Sequence, residues 1–305
     1  MSTFWYWWQH LPEKIDPVIF QIGSFRLQYY GMMYIVAFAI TYFLVCYRMR
    51  SEPRFRYIST EQMQGLFTAM IIGLIIGARL GYVAFYNLPY YLNHPLEIIL
   101  PFDTNNGWRF TGITGMSYHG GFIGTFIAHV LFVRKNSLSF WDTTDILMPC
   151  APLGFTFGRL GNFINGELYG RPTDAVFGMY FPEASGSSLR HPSQLYEAAF
   201  EGIFLFLVMW FIFRKRIKTK GAMIGIYMIG YGLVRFIIEF VREPDAHLGF
   251  IISFFSMGQI LCAAMVVMGV GFYVYRHMIN ETVSAFDSQN SLPKKSRKKN
   301  TKKKK

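Results

Sequence analysis

The sequence predicts an all-α polytopic membrane protein with about seven transmembrane helices, an extracytoplasmic N-terminus and a cytoplasmic C-terminus. Of the 305 residues, 52% are hydrophobic and 18% are aromatic, whereas only 16% are charged. This composition is too apolar for an ordinary soluble chain. Apolar runs of roughly 17–25 residues, enough to cross a bilayer core about 30 Å thick, recur along the chain.

Seven apolar runs define the predicted spans. They lie at residues 29–47, 64–86, 115–133, 144–164, 198–213, 221–241 and 250–275. Pro149 and Pro152 fall within the fourth run, where we expect them to bend or break the helix. The predicted organisation is therefore an interfacial extracytoplasmic segment (1–28), a seven-helix transmembrane domain (29–275) and a basic tail (276–305).

Basic residues set the predicted orientation. Of the 30 lysines and arginines, 21 follow the first, third, fifth or seventh span. Since positive charge is retained on the cytoplasmic side, these connections are placed inside. The N-terminus and the connections 87–114, 165–197 and 242–249 then lie outside, where they form a small extracytoplasmic loop region.

The net charge of +12 does not indicate a nucleic-acid partner. Residues 276–305 contain ten basic and two acidic residues, so most of the charge belongs to the tail. We expect this tail to be disordered and to lie on anionic lipid at the inner leaflet, with no specific nucleic acid bound. At the other end, residues 1–10 carry five aromatic residues but no basic n-region or cleavage site, which indicates an interfacial anchor rather than a secretory signal.

Neither a cofactor nor a metal is expected from the motifs. Cys46, Cys150 and Cys262 lie in or beside apolar runs without metal-ligand spacing, which is typical of inert core thiols. The sequence contains no P-loop, dinucleotide fingerprint, zinc motif or serine elbow.

The sixth span carries a polar face. Tyr231, Arg235, Glu239 and Arg242 are spaced by four, four and three residues, so they fall within an arc of roughly 80° on a helix. A structural salt-bridge ladder is one interpretation, because Arg235 and Glu239 can pair at i,i+4. Two arginines against one carboxylate, however, leave a surplus positive charge, and buried surplus charge favours an anion site.

The fourth span ends in a second polar cluster. Arg159 and Asn162 lie one helical turn apart, and Glu167 follows near the predicted outer interface. Gly166 and Gly170 predict a tight turn whose amides could face a ligand. Because the planar guanidinium suits bidentate phosphate recognition, the two arginine-containing clusters predict a phospholipid head group as the ligand.

Further polar residues have both a structural and a functional interpretation. His119 precedes Gly120 and Gly121, which could leave space for a substrate, and an imidazole with its ordinary pKa of about 6.5 suits a general base. A hydrogen-bonded structural histidine is the alternative. His191 is a weaker candidate, since it lies in a run that could equally be an outer-loop scaffold leading into the fifth span. Tyr30, by composition alone, belongs to an aromatic belt.

The second span combines small residues with a charge. Gly73, Gly77 and Gly81 recur every fourth position, which predicts close packing against another helix. Arg79 lies in the same segment and fits either a structural ion pair or a role in substrate binding.

Three motifs together resemble the signature of the bacterial prolipoprotein diacylglyceryl transferases. They are Gly158-Arg-Leu-Gly-Asn-Phe-Ile-Asn-Gly-Glu-Leu-Tyr-Gly170, Ser117-Tyr-His-Gly-Gly121 and Arg190-His-Pro-Ser-Gln-Leu-Tyr-Glu197. The resemblance extends from about Asp16 to about Tyr275. It implies a multi-pass enzyme of the bacterial cytoplasmic (inner) membrane. Such an enzyme transfers the diacylglyceryl group of phosphatidylglycerol to the lipobox cysteine of prolipoprotein signal peptides, forms a thioether and releases glycerol phosphate. This is the first step of lipoprotein maturation.

The resemblance also implies the residues of the site. A base, His119 or alternatively Glu239, would take the thiol proton, while Arg159 and Arg235 neutralise the phosphate. Glu167 and Glu239 would hold the arginines. No metal is needed. The residues implied for catalysis are His119, Arg159, Arg235 and Glu239, and those implied for substrate binding are Tyr30, Asn162, Glu167, Gly170, Tyr231 and Arg242.

Two other functions remain open at this point. A transporter or flippase could bind a lipid phosphate between broken helices, and a noncatalytic scaffold could bind lipoprotein signal peptides. Internal inverted repeats would favour transport, and none is visible in the sequence. Release of glycerol phosphate that depends on a lipobox peptide would distinguish the three.

Overall fold

A computed structural model describes residues 3–23, 25–100, 102–103, 109–110, 115–184, 186–243, 250–252 and 255–279. The chain is mostly helical. Its helices are α1 (Thr3–Gln9), α2 (Tyr29–Ser51), α3 (Thr60–Tyr86), α4 (Leu88–Asn93), α5 (Tyr118–Lys135), α6 (Phe140–Leu147), α7 (Ala151–Ile164), α8 (Ser193–Arg216), α9 (Ala222–Ile238) and α10 (Met257–Met278). Three antiparallel hairpins pair β1 (Val18–Ile22) with β2 (Phe25–Gln28), β3 (Phe102–Asp103) with β4 (Arg109–Phe110), and β5 (Phe250–Ile252) with β6 (Phe255–Ser256). The predicted tail beyond residue 279, residues 101, 104–108 and 111–114 of the predicted outer connection 87–114, and residues 244–249 of the predicted connection 242–249 lie outside the described residues.

Four helices of the described residues, α2, α3, α8 and α10, are long and apolar enough to cross a membrane. Helix α9 is equally apolar in character but has 17 residues. The prediction of a helical integral membrane protein is confirmed at this level. The number of seven spans, the orientation and the division into three segments stay predictions.

Side-chain caps explain where two of the long helices begin. Helix α3 begins four residues before the predicted position 64, because Ser59 accepts a hydrogen bond from the Gln62 amide (3.1 Å) and completes a capping box. Ser256 and Gln259 form the same box at the start of α10. The predicted start of the seventh span at residue 250 is wrong, because the apolar residues there form strands β5 and β6, and a short apolar run does not distinguish a strand from a helix.

The predicted fourth span is divided into two helices. Helix α6 ends at Leu147 and α7 begins at Ala151, so the break expected from the two prolines is confirmed. Pro152 lies in the first turn of α7, where its missing amide proton breaks no helical hydrogen bond. Helix α7 packs against α2 and α8, and this packing positions Arg159 and Asn162 in its C-terminal half.

The glycine face of α3 packs against α5, as predicted. A Cβ atom at Gly77 would lie 2.8 Å from the Gly124 Cα, and one at Gly81 would lie 2.7 Å from the Gly120 Cα. Small residues let the two backbones approach each other, because any side chain would separate them. Arg79, on the same helix, donates to the carbonyl oxygens of Ile98 (2.9 Å), Gly115 (3.3 Å) and Glu97, so it joins α3 to the segments on either side of the 101–114 connection.

An ion-pair network holds the end of the molecule that the orientation places in the cytoplasm. Arg54 donates to Asp142 (2.8 Å) and to Asp145 (2.6 Å). The Asp145 carboxylate also accepts from the Gly221 amide (2.8 Å), just before α9. Arg54, one of the arginines that predicts the orientation, therefore also joins the α2–α3 connection to α6 and α9.

Candidate active site

Two of the predicted arginines meet at one carboxylate oxygen. The Arg159 Nε atom lies 2.8 Å from the Oε2 atom of Glu197, and the Arg235 Nη1 atom lies 3.0 Å from the same oxygen. Helix α7 contributes Arg159, α9 contributes Arg235, and α8 contributes Glu197, whose side chain is fully buried. The fold thus directs two guanidinium groups from different helices at a single point.

Further ion pairs extend this centre. The Arg235 Nη1 atom lies 3.3 Å from Glu201 Oε1, and its Nη2 atom lies 3.2 Å from Glu239 Oε2, which confirms the predicted i,i+4 pair. The Arg242 guanidinium lies 3.9 Å from Glu197 Oε1 and 4.0 Å from Glu239 Oε2. We call these residues the arginine–glutamate cluster; its members are Arg159, Arg235, Arg242, Glu197, Glu201 and Glu239.

The end of α9 shapes one side of the cluster. Glu239 follows the last helical residue, and its amide still donates to the Arg235 carbonyl (3.0 Å). Its Oε1 atom accepts from the Ser256 hydroxyl (3.2 Å) before α10. Tyr231 lies one turn before Arg235, packs edge-on against Phe155 at 5.8 Å, and belongs to the electrostatic surroundings of Arg235.

Tyr30, Asn162 and Glu167 form a second group. The Asn162 side-chain amide donates to Glu167 Oε1 at 2.8 Å, and the Asn165 amide lies 3.5 Å from the same oxygen. The Tyr30 hydroxyl lies beside Asn162 and 3.0 Å from the Tyr34 hydroxyl. The expectation that Glu167 holds an arginine is wrong, since its carboxylate accepts from asparagine amides instead.

Gly166 and Gly170 form the predicted turn but do not offer their amides to a ligand. Gly166 has a φ of +69°, a conformation that glycine adopts without strain. Its amide donates to the Phe163 carbonyl (3.0 Å), and the Gly170 amide donates to the His191 carbonyl (2.8 Å). The expectation of ligand-facing amides is therefore wrong. A Cβ atom at Gly170 would lie 2.8 Å from the His191 Cβ, so glycine lets this turn pack against the segment before α8.

His119 lies apart from the contacts that join the cluster. Its side chain is exposed in the first turn of α5 and packs edge-on against Tyr118, with ring centroids 5.7 Å apart. The expectation that Gly120 and Gly121 leave space for a substrate is wrong, because both are buried against α3. The weaker candidate, His191, lies 3.3 Å from the Tyr196 hydroxyl, and partial burial lowers its pKa below the ordinary value of about 6.5.

Comparison with known proteins decides the family. The model of the prolipoprotein diacylglyceryl transferase family matches residues 17–275. The chain belongs to this family. A phosphatidylglycerol–prolipoprotein diacylglyceryl transferase of Chlorobaculum tepidum is 52% identical over 90% of this chain and 94% of its own length. Proteins of the same name from Geobacter sulfurreducens (43%; 84% and 93%) and Bordetella parapertussis (41%; 86% and 95%) are also similar.

Two glutamates of the arginine–glutamate cluster were not predicted as site residues of this diacylglyceryl transferase family member from its sequence. Glu197 and Glu201 balance the arginines, so the cluster holds three guanidinium groups against three carboxylates. The predicted surplus of positive charge is therefore wrong. A signal was present, because two carboxylates four residues apart beside an apolar run are costly to bury without partners. The predicted fifth span began at residue 198, whereas α8 begins at Ser193 and includes Glu197 as well as Glu201.

A cleft of about 590 Å³ is lined by residues of both groups, and we call it the outer cleft because the predicted orientation places it outside the cytoplasm. Arg242 lines the cleft and also belongs to the arginine–glutamate cluster. Glu167 lines it from the other group, together with Asn165 and Gly166. The arrangement combines an open cleft that charged side chains line in part with guanidinium groups that are partly or fully buried, which is what recognition of a lipid phosphate beside a peptide would require.

Proposed function

We propose that this protein transfers the diacylglyceryl group of phosphatidylglycerol to the cysteine thiol in the lipobox of prolipoprotein signal peptides. Membership of the family and the names of its relatives support this proposal. The convergence of Arg159 and Arg235 on one oxygen of Glu197 carries it in the structure. Two guanidinium groups that can meet one carboxylate oxygen can equally hold the oxygens of one phosphate.

The reaction is a displacement at the glyceryl carbon that bears the phosphate. The cysteine sulfur forms a C–S bond with this carbon as the C–O bond breaks, and the electron pair of that bond leaves with glycerol phosphate. Arg159 and Arg235 offset the negative charge that develops on the departing oxygen. The thiol must lose its proton to become the nucleophile.

Two groups are candidates for the base that takes this proton. Glu239 lies inside the cluster, but its carboxylate is held by Arg235 and Ser256. His119 is exposed and therefore free to meet a peptide that approaches from outside the helix bundle. We favour His119, since a base that is not engaged in an ion pair accepts a proton without breaking one.

The remaining residues position the substrates. Arg242 and Glu167 face the outer cleft, where the polar part of the peptide would lie. Asn162 orients Glu167, and Tyr30 lies beside both. Tyr231 lies one turn before Arg235 on α9, where it would help to position the lipid. Gly170 acts indirectly, since it permits the close packing of the turn that carries Glu167.

The membrane arrangement belongs to the same proposal. Helices α5, α6 with α7, and α9 would complete seven spans with the four longest helices, and the outer cleft would face away from the cytoplasm. The clustered basic residues support this orientation in the bacterial inner membrane. Residues 1–28 would lie at the outer interface, residues 29–275 would form the catalytic domain, and residues 276–305 would be a cytoplasmic tail.

A matched pair of peptides tests the reaction. The purified protein is incubated with phosphatidylglycerol vesicles and a lipobox peptide, or with the same peptide in which serine replaces the cysteine. Mass spectrometry is expected to show one added diacylglyceryl group on the cysteine peptide and none on the serine peptide. An unmodified cysteine peptide, with the protein folded, would contradict the proposed activity.

A further inference from the structure

The charge balance of the arginine–glutamate cluster creates a problem for anion binding. With all six side chains ionised, three guanidinium groups face three carboxylates and the charges within the cluster cancel. A phosphate monoanion that enters it would leave one negative charge without a partner. An uncompensated charge in a buried site is expensive, and a proton is the simplest group that can remove it.

Glu201 is the carboxylate of the cluster with the fewest partners. Glu197 is shared by Arg159 and Arg235, and Glu239 has both Arg235 and the Ser256 hydroxyl. Glu201 has the Arg235 contact at 3.3 Å, through Oε1. Its Oε2 atom is buried and, within the described part of the chain, has no hydrogen-bond partner, as is also true of both Glu197 oxygens and of Glu239 Oε2. What distinguishes Glu201 is that Arg235 is its one ion-pair partner among the described residues, whereas Glu197 and Glu239 each pair with Arg242 as well. Protonation of Oε2 therefore breaks no existing contact.

Among the described residues, four guanidinium groups lie in or beside the arginine–glutamate cluster. Arg242 pairs with Glu197 and Glu239, and Arg171 donates to the carbonyl oxygens of Arg242 (2.8 Å) and Glu239 (3.3 Å). The two guanidinium groups that face Glu201 itself also have a carboxylate partner besides Glu201. Arg159 faces it from α7, and Arg235 faces it from α9, and both are already paired with Glu197. The remaining titratable neighbours are neutral or acidic: Glu197 on its own helix, Tyr227 and Tyr231 on α9, and Cys262 on α10.

We propose that Glu201 takes up one proton when the phosphate of phosphatidylglycerol enters the arginine–glutamate cluster, and that it returns this proton to the solvent when glycerol phosphate leaves. The proton comes from water and binds Oε2, and no bond of the lipid changes in this step. The cluster then keeps a net charge of zero in both states. This inference rests on the proposed function, because it assumes that the anion bound there is the lipid phosphate.

Proton uptake can be counted directly. The full-length protein in detergent is titrated with dioctanoyl phosphatidylglycerol by calorimetry in two buffers that differ in ionisation enthalpy. The wild-type protein is expected to bind about one proton per lipid, so its affinity should fall by up to about tenfold per pH unit on the alkaline side. Lipid binding without any proton uptake would overturn the inference and leave the proposed function standing, whereas an absence of lipid binding would count against the proposed function itself.

Three glutamine variants locate the proton. Glu201→Gln imitates the protonated side chain, so it should bind the lipid without proton uptake, and its affinity should stay constant between about pH 6 and pH 8 while that of the wild-type protein falls. Glu61→Gln, exposed in the first turn of α3, is the control and should keep the wild-type uptake. If Glu239→Gln instead reproduced the tight, pH-independent binding, the proton site would be Glu239 and the assignment to Glu201 would be wrong. If Glu201→Gln does not fold, a wild-type proton count of zero still refutes the proposal.

Discussion

Gly258 is predicted to control the position of the Glu239 carboxylate. A Cβ atom at Gly258 would lie 2.7 Å from Glu239 Cδ and 3.2 Å from its Oε2 atom. Since ordinary contacts between such atoms are about 3.5–4.0 Å, Gly258→Ala must displace the carboxylate by about 1 Å. Alanine is also a better helix former than glycine, and Gly258 lies in the first turn of α10, so the protein should remain folded.

Displacement of Glu239 should reduce transfer. The carboxylate would shift relative to Arg235, now 3.2 Å away, and relative to the Ser256 hydroxyl at 3.2 Å. A misplacement of about 1 Å in a catalytic group can lower the rate by about 10²-fold, and we expect a loss between about 10-fold and 10²-fold in kcat. Thioether formation is measured as an initial rate with saturating phosphatidylglycerol and lipobox peptide.

Gly271→Ala is the matched control, because it makes the same change on the same helix. Among the described residues, a Cβ atom at Gly271 would have no neighbour within 4 Å, so this variant should transfer at the wild-type rate. Wild-type transfer by Gly258→Ala would refute the reasoning that the position of Glu239 matters for catalysis. An equal loss in both variants would instead assign the defect to α10 as a whole.

Three further predictions concern the arginines, the base and the orientation. Arg159→Lys and Arg235→Lys keep the charge but lose the planar fork, so each should lose most of its transfer activity while the protein still inserts in the membrane, and near-normal transfer by the double variant would contradict bidentate phosphate binding. If His119 is the base, His119→Gln should lower the transfer rate by about 10²- to 10⁴-fold, and part of the lost rate should return as the pH rises toward the pKa of the peptide thiol. A defect that does not change with pH would indicate a structural histidine. Reporter fusions after Lys220 and after Lys305 should both report the cytoplasm, and a periplasmic signal from either would reverse the proposed orientation.

Local periodicity predicted much of the site. Arg235 and Glu239 pair because residues four apart share a helix face, and the two prolines of the fourth run break it where the sequence indicated. Both features depend only on residues that are close in the sequence. They can therefore be predicted without knowing which helices pack against each other.

The unpredicted part of the site depends on contacts between helices. Glu197 and Glu201 belong to the cluster because α8 lies between α7 and α9, and the sequence alone does not reveal this adjacency. Glu167 faces asparagines because the turn at Gly166 has a positive φ, which redirects the chain after α7. Gly120 was interpreted as space for a substrate, whereas α3 fills that space.

The most direct test of the proposed reaction is the release of glycerol phosphate from phosphatidylglycerol labelled in its head group. The purified protein should release label only when a lipobox peptide with its cysteine is present, with one glycerol phosphate for each thioether formed. Release without the peptide would indicate a lipid hydrolase. Movement of labelled lipid across a vesicle membrane, with none released in the presence of the peptide, would indicate a transporter and would contradict the proposed transfer.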